Sequence, residues 1–235
     1  GESGGGSYHA LYDTYELYKR FSDGKFVYGT TLAKVNGRLV LRLSEADILP
    51  FRFVNMVDNF RKFIDDNKSL ARKIHDNTQL RNSMLDNNDF TISRNPKKIY
   101  LPPKRYTEVP EFDFGALDDA FDRLTSSAWK YEETLLKYKK GSLSAEKKSE
   151  INALLRTVEQ AFISQKGLPR REWFKNMIYA PGYYTGYGVK TLPGIREGLE
   201  ERNWNEVREY VNEVAKSLDR ATRNINSASR ILNEN

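Results

Sequence analysis

The chain has no cysteine and only two histidines, His9 and His75, among its 235 residues. Without thiols there is no disulfide scaffold, no thiolate zinc site and no cysteine nucleophile. A catalytic zinc centre takes about three protein ligands plus water. No His-x-x-x-His or similar pairing accompanies His9, so no complete metal site is expected in these residues. No run approaches about 18 consecutive apolar residues, which excludes a membrane-spanning helix of the usual kind. No charged-then-apolar leader precedes Tyr8, and no signal peptide is expected within the chain. A single-signed charge pattern is also missing. Lys and Arg number 38 against 32 Asp and Glu, net +6, and both signs are interspersed, as in Glu206-Val207-Arg208-Glu209. The basic doublets Lys97-Lys98, Lys139-Lys140 and Arg170-Arg171 are scattered. A nucleic-acid binder clusters such charge, so nucleic acid is not an expected partner.

What is present is helical periodicity. Hydrophobic content of 39% with 30% charge describes an ordered, surface-rich chain, long enough for one sizeable core or a domain with an appendage. A short first helix carries Leu11, Tyr15 and Tyr18 and breaks at Ser22-Asp23-Gly24. From Phe26 to Leu43, Tyr28, Leu32, Val35, Leu39 and Leu43 recur every three or four residues. Gly29 and Gly37 interrupt that face, a cost to the helix unless close packing offsets it. The next helix starts near Phe53, with Val57, Phe60, Ile64 and Ile74 inward.

Residues 77–111 are rich in Asn, Asp and Pro and read as a long ordered loop, anchored by aromatics such as Tyr100 and Tyr106. Two further helices follow, one from Phe114 to Tyr138, the other N-capped by Ser144. Trp173–Lys190, with Tyr183, Tyr184, Tyr187, Gly182, Gly186 and Gly188, predicts a tightly turned loop presenting phenols. Pro193-Gly194-Ile195 opens a short helix. The last helix carries Trp204, Val207, Val211, Val214, Leu218, Ala221, Ile225, Ala228 and Leu232, nearly a heptad seam. The expected fold is all-α: a four-helix up-and-down bundle with short extra helices and one long ordered loop.

Tyr8-His9 follows the run Gly4-Gly5-Gly6-Ser7. Such a histidine serves as a metal ligand, a general base, or an ordinary residue at a helix start; the string itself leaves all three open. A neighbouring tyrosine hydroxyl can donate to a developing oxyanion. His75, in Lys73-Ile74-His75-Asp76, reads as a structural residue at an exposed helix end.

Five motifs occur in order: Tyr8-His9-Ala10-Leu11-Tyr12-Asp13-Thr14-Tyr15-Glu16, Ile48-Leu49-Pro50-Phe51, Gly167-Leu168-Pro169, Met177-Ile178-Tyr179-Ala180-Pro181 and Leu192-Pro193-Gly194-Ile195. Together they resemble the C-terminal part of glutamate carboxypeptidase II and the related transferrin receptor, over residues 6–232. The 77–111 loop looks longer than in those relatives. The resemblance implies that residues 1–24 are the edge of a truncated catalytic peptidase domain and 25–235 a helical dimerisation domain. By position, His9 matches a ligand to one of two zinc ions and Tyr8 the phenol that contacts the tetrahedral intermediate. Tyr187 matches a phenol that binds the substrate's terminal carboxylate. Gly186 stands where the glutamate-preferring enzyme has lysine, which weakens the case for strict glutamate preference. The receptor branch lacks the histidine, so the resemblance points to a peptidase. It implies a homodimer, a missing catalytic domain of the same chain, a peptide substrate, and a fragment inactive by itself. The alternative is a non-catalytic helical self-association or protein-binding module. A secreted, periplasmic or membrane-anchored parent is equally compatible.

Overall fold

A computed structural model describes residues 10–139 and 141–234 and divides into two compact units, one ending at Pro50 and the other running from Phe51 to Asn235. Tyr8 and His9 lie outside the described residues.

In the first unit, α1 (Tyr15–Phe21) is capped by Thr14, whose hydroxyl accepts from Leu17 N–H at 3.2 Å. The break that follows has a clear physical origin. Asp23 is buried, and its two carboxylate oxygens accept from Val27 and Gly29 N–H at 2.8 Å each. They thereby satisfy amides that the start of α2 (Val27–Ser44) leaves without intrahelical partners. Phe26 stacks between Tyr15 and Tyr18. The periodic apolar set of α2 is not covered: Tyr28, Leu32, Val35 and Leu39 are all exposed, and no residue of this helix is buried. Nothing lies within 4 Å of a side chain placed at Gly37.

The second unit is a helical bundle. Its long helices are α3 (Phe53–Asp86), α5 (Gly115–Lys137), α6 (Ala145–Thr157) and α8 (Trp204–Leu232). Their directions follow from side-chain pairings. Lys68 meets Asp118 and Arg52 meets Glu132, so α3 and α5 are antiparallel. Arg123 meets Asp219 and Ser127 meets Asn226, so α5 and α8 run parallel. Lys147 meets Glu234 and Asn224 meets Thr157, so α6 and α8 are antiparallel. Direction alternates along the chain, as an up-and-down bundle requires.

Helix α8 is the centre of this unit, packed against α5, α6 and α7 (Pro193–Glu200). Its expected seam from Trp204 to Leu232 is buried from Val207 onward, with Trp204 only partly covered, and Tyr210, Ala215, Ser217, Thr222, Ser229 and Ile231 are buried beside it. The buried stripe is therefore wider than a two-helix seam, because α8 has neighbours on several sides.

The loop reading needs a correction at its start. Helix α3 continues to Asp86, followed by the four-residue α4 (Asp89–Ile92), and His75 is mid-helical rather than at an end. The Asn-rich run stays helical because its polar groups have partners in the loop beyond. Asn82 accepts from Tyr106 N–H at 3.1 Å and donates to its carbonyl at 2.9 Å, as a strand neighbour would. The Tyr106 ring lies between the guanidinium groups of Arg81 (4.3 Å) and Arg202 (4.1 Å). Arg202 also donates to the Thr78 hydroxyl and the Thr107 carbonyl.

Among the described residues, no helix is long and apolar enough to cross a membrane.

Two outcomes test this packing. A Cβ at Gly194 would sit 2.2 Å from the Tyr210 ring, so Gly194→Ala should lower the unfolding free energy by about 1–3 kcal/mol in denaturant titration. Burial, the largest cause in each case, pushes the Tyr131 and Tyr210 phenols up to about 12. Between pH 10 and 12 the unfolded chain has released these protons while the native one still holds them, so stability falls as pH rises. Denaturation midpoints measured across that window should decline, and less steeply in Tyr131→Phe. That variant should cost little at neutral pH, since the buried Tyr131 hydroxyl has no hydrogen-bond partner.

Candidate functional site

Of the residues singled out from sequence, Gly186 and Tyr187 are brought together on one loop, between β1 (Tyr179–Pro181) and β2 (Val189–Thr191). The two strands pair antiparallel, Tyr179 opposite Thr191 and Pro181 opposite Val189. The turn is closed by Gly182 N–H to the Gly188 carbonyl at 2.8 Å, and by the Thr185 hydroxyl to the same carbonyl at 3.1 Å. A side chain on Gly182 would meet Thr185 Oγ1 at 2.2 Å, which is why this turn is glycine-rich. Gly186 adopts a left-handed φ of 58°. A side chain at position 186 would strain that conformation.

Tyr184 and Tyr187 stand out into solvent, 78% and 92% exposed. Tyr183 is turned back: its ring meets Tyr184 edge-on at 4.7 Å, and the guanidinium groups of Arg170 and Arg171 lie over it at 5.3 and 5.6 Å. Beneath the hairpin, Asn176 Oδ1 accepts from Ile178 and Tyr179 N–H. The Tyr179 hydroxyl donates to Glu159 at 2.8 Å, and that bond, with burial added, raises its pKa above the usual phenol value.

The cations around the loop are engaged. Arg170 pairs with Glu206 and Glu201, Arg171 with Glu197, and Lys190 with Glu200. The loop therefore presents tyrosine side chains at the surface, while its nearby positive charges are already balanced.

The Arg171–Glu197 pair was not legible in the sequence. Both side chains are 4% exposed, Nη2 lies 3.0 Å from Oε1, and the same Oε1 accepts from Tyr183 N–H at 2.9 Å. Arg171 reads in sequence as half of a surface doublet. The available signal was Glu197 lying among Ile195, Gly198 and Leu199 on a short apolar helix.

His75 is half-buried and bridges its own helix, with Nδ1 3.2 Å from Asp76 and Nε2 3.1 Å from Gln79. It lines two clefts of about 340 and 940 Å³ along α3. Among the described residues, no group of three or more His, Asp or Glu is arranged to hold a metal ion.

Residues 112–226 match the transferrin receptor-like dimerisation domain. The chain carries that domain. Its relatives extend the likeness well upstream of that segment. A probable glutamate carboxypeptidase of Arthroderma benhamiae is 24% identical over 90% of this chain and 24% of its own length. One from Arabidopsis thaliana is 25% identical over 96% of this chain and 27% of its own length. An inactive zinc metalloprotease of Schizosaccharomyces pombe is 28% identical over 53% of this chain and 17% of its own length. The chain is thus similar to a region of these glutamate carboxypeptidase-like proteins that includes a transferrin receptor-like dimerisation domain, and it spans about a quarter of the length of the first two relatives.

Proposed function

We propose that the chain is the dimerisation and substrate-pocket region of a dinuclear zinc exopeptidase, of carboxypeptidase or aminopeptidase type, and inactive alone. The observation that carries this is the likeness over nine-tenths or more of the chain to two proteins named as probable glutamate carboxypeptidases. The uncovered stripe on α2 supports it: four large apolar residues at helical spacing, with open space at Gly37, form the kind of face another part of the protein covers. In this reading residues 1–24 belong to the edge of the catalytic domain and the rest to the dimerisation domain.

The described residues do not make a zinc site, and the proposal assigns this chain a single ligand, His9. Zinc in such enzymes polarises the scissile carbonyl and yields hydroxide from bound water. What this chain adds is local. Tyr8 donates its hydroxyl to the developing oxyanion, and Tyr187 donates to the substrate's terminal carboxylate. The balanced cations around the hairpin fit a carboxylate held mainly by hydroxyls, hence a weaker glutamate preference than lysine at position 186 would give.

In the full-length protein, His9→Ala should remove bound zinc and cut activity by about a thousandfold. Tyr187→Phe should raise KM by about tenfold or more with zinc content unchanged. Retained zinc and activity in His9→Ala would take that residue out of the site.

The inactive relative supports a second reading, a non-catalytic homodimer or protein-binding module. Self-association is common to both readings, and zinc separates them. Sedimentation should show dimers in either case, whereas only the peptidase binds metal. A monomer at high micromolar concentration would count against the homodimer.

A further inference from the structure

The hairpin loop is fastened to the bundle through a chain of fixed elements. Helix α7 sits tightly on α8: Gly194 faces the Tyr210 ring and Gly198 faces Val207, with no room for a side chain at Gly194. Glu197 therefore projects from an element that cannot shift without repacking α8. Its Oε1 holds two donors, the backbone N–H of Tyr183 and Nη2 of Arg171. A carboxylate this deeply buried keeps its charge only if a cation is buried with it. Arg171 supplies that cation and also lies against the rings of Tyr183 and Phe174.

We propose that Glu197, charge-balanced by Arg171, is a positioning residue that fixes the Gly182–Gly188 loop and so sets where the Tyr187 phenol stands for substrate. The pair grips the loop by backbone, at Tyr183, and leaves the exposed phenols to meet a ligand. The substrate half of this inference rests on the role proposed above for Tyr187.

The test separates the grip from that role. Removing Glu197 alone strands a buried guanidinium and risks the fold, so the informative variant is Arg171→Met/Glu197→Leu, which removes both charges at similar volume. In the full-length protein, amide hydrogen exchange at Tyr183 should accelerate about tenfold to a hundredfold, with α8 amides and the thermal midpoint little changed. Arg171→Met/Glu197→Gln, which keeps an acceptor for the Tyr183 N–H without a buried charge, should retain much of the protection. Wild-type protection at Tyr183 in Arg171→Met/Glu197→Leu overturns the proposal.

With the dipeptide Ala-Glu as probe, the double variant Arg171→Met/Glu197→Leu should raise KM about tenfold with kcat nearly constant. If Tyr187→Phe raises KM and the double variant does not, the positioning role is overturned. If Tyr187→Phe leaves KM unchanged, the substrate role of Tyr187 falls, and exchange at Tyr183 alone decides whether Glu197 holds the loop.

Discussion

The burial of α8 is the constraint on which the second unit depends. Its apolar residues from Val207 to Leu232 supply one wall of most of the packing in that unit, with α5, α6 and α7 around it, while α3 packs on α5 and α7. Burying side chains of this size contributes roughly 1.5–3 kcal/mol each, far more than any surface ion pair. The ion pairs between helices act as register marks instead. Arg123 to Asp219 and Lys68 to Asp118 say which residues face each other, while the apolar stripe says that the helices must meet.

Periodicity made much of this readable. The seam of α8, the Ser144 cap and the stop near Tyr138 each arise from local chemistry, which one sequence records directly. The end of α3 was not readable, because its last turns lack an apolar face and are held by Asn82 and Thr78, whose partners lie at Tyr106 and Arg202. A polar helix stabilised by distant loop atoms looks, in one dimension, like the loop itself. Glu197 was hidden for a related reason: a buried carboxylate is recognised by its partner, and Arg171 is 26 residues away.

For the site, the sequence marked the aromatic and glycine content of the hairpin but not its orientation. Tyr183 and Tyr184 are neighbours of the same type that differ in degree, 41% and 78% exposed, the first lying beneath two guanidinium groups. The backbone bond from Tyr183 to Glu197 holds that stretch in place, and side-chain identity carries no trace of it. Tyr8 and His9 belong to the motif part of the reading, which rests on likeness to relatives and lies outside the described residues.

The Arg81–Tyr106–Arg202 stack has a bearing on connectivity. The segment between α4 and Tyr106 carries Ile99 and Leu101 almost wholly in solvent, yet the chain is gripped again at Tyr106 by groups from α3 and from the α7–α8 junction. Covalent continuity and spatial cohesion are thus decoupled there. A backbone nick around Ile99 leaves the upstream end joined to α3 and the downstream end held to the same body at Tyr106 by aromatic stacking and amide pairing, so the bundle's integrity does not hang on that stretch of peptide.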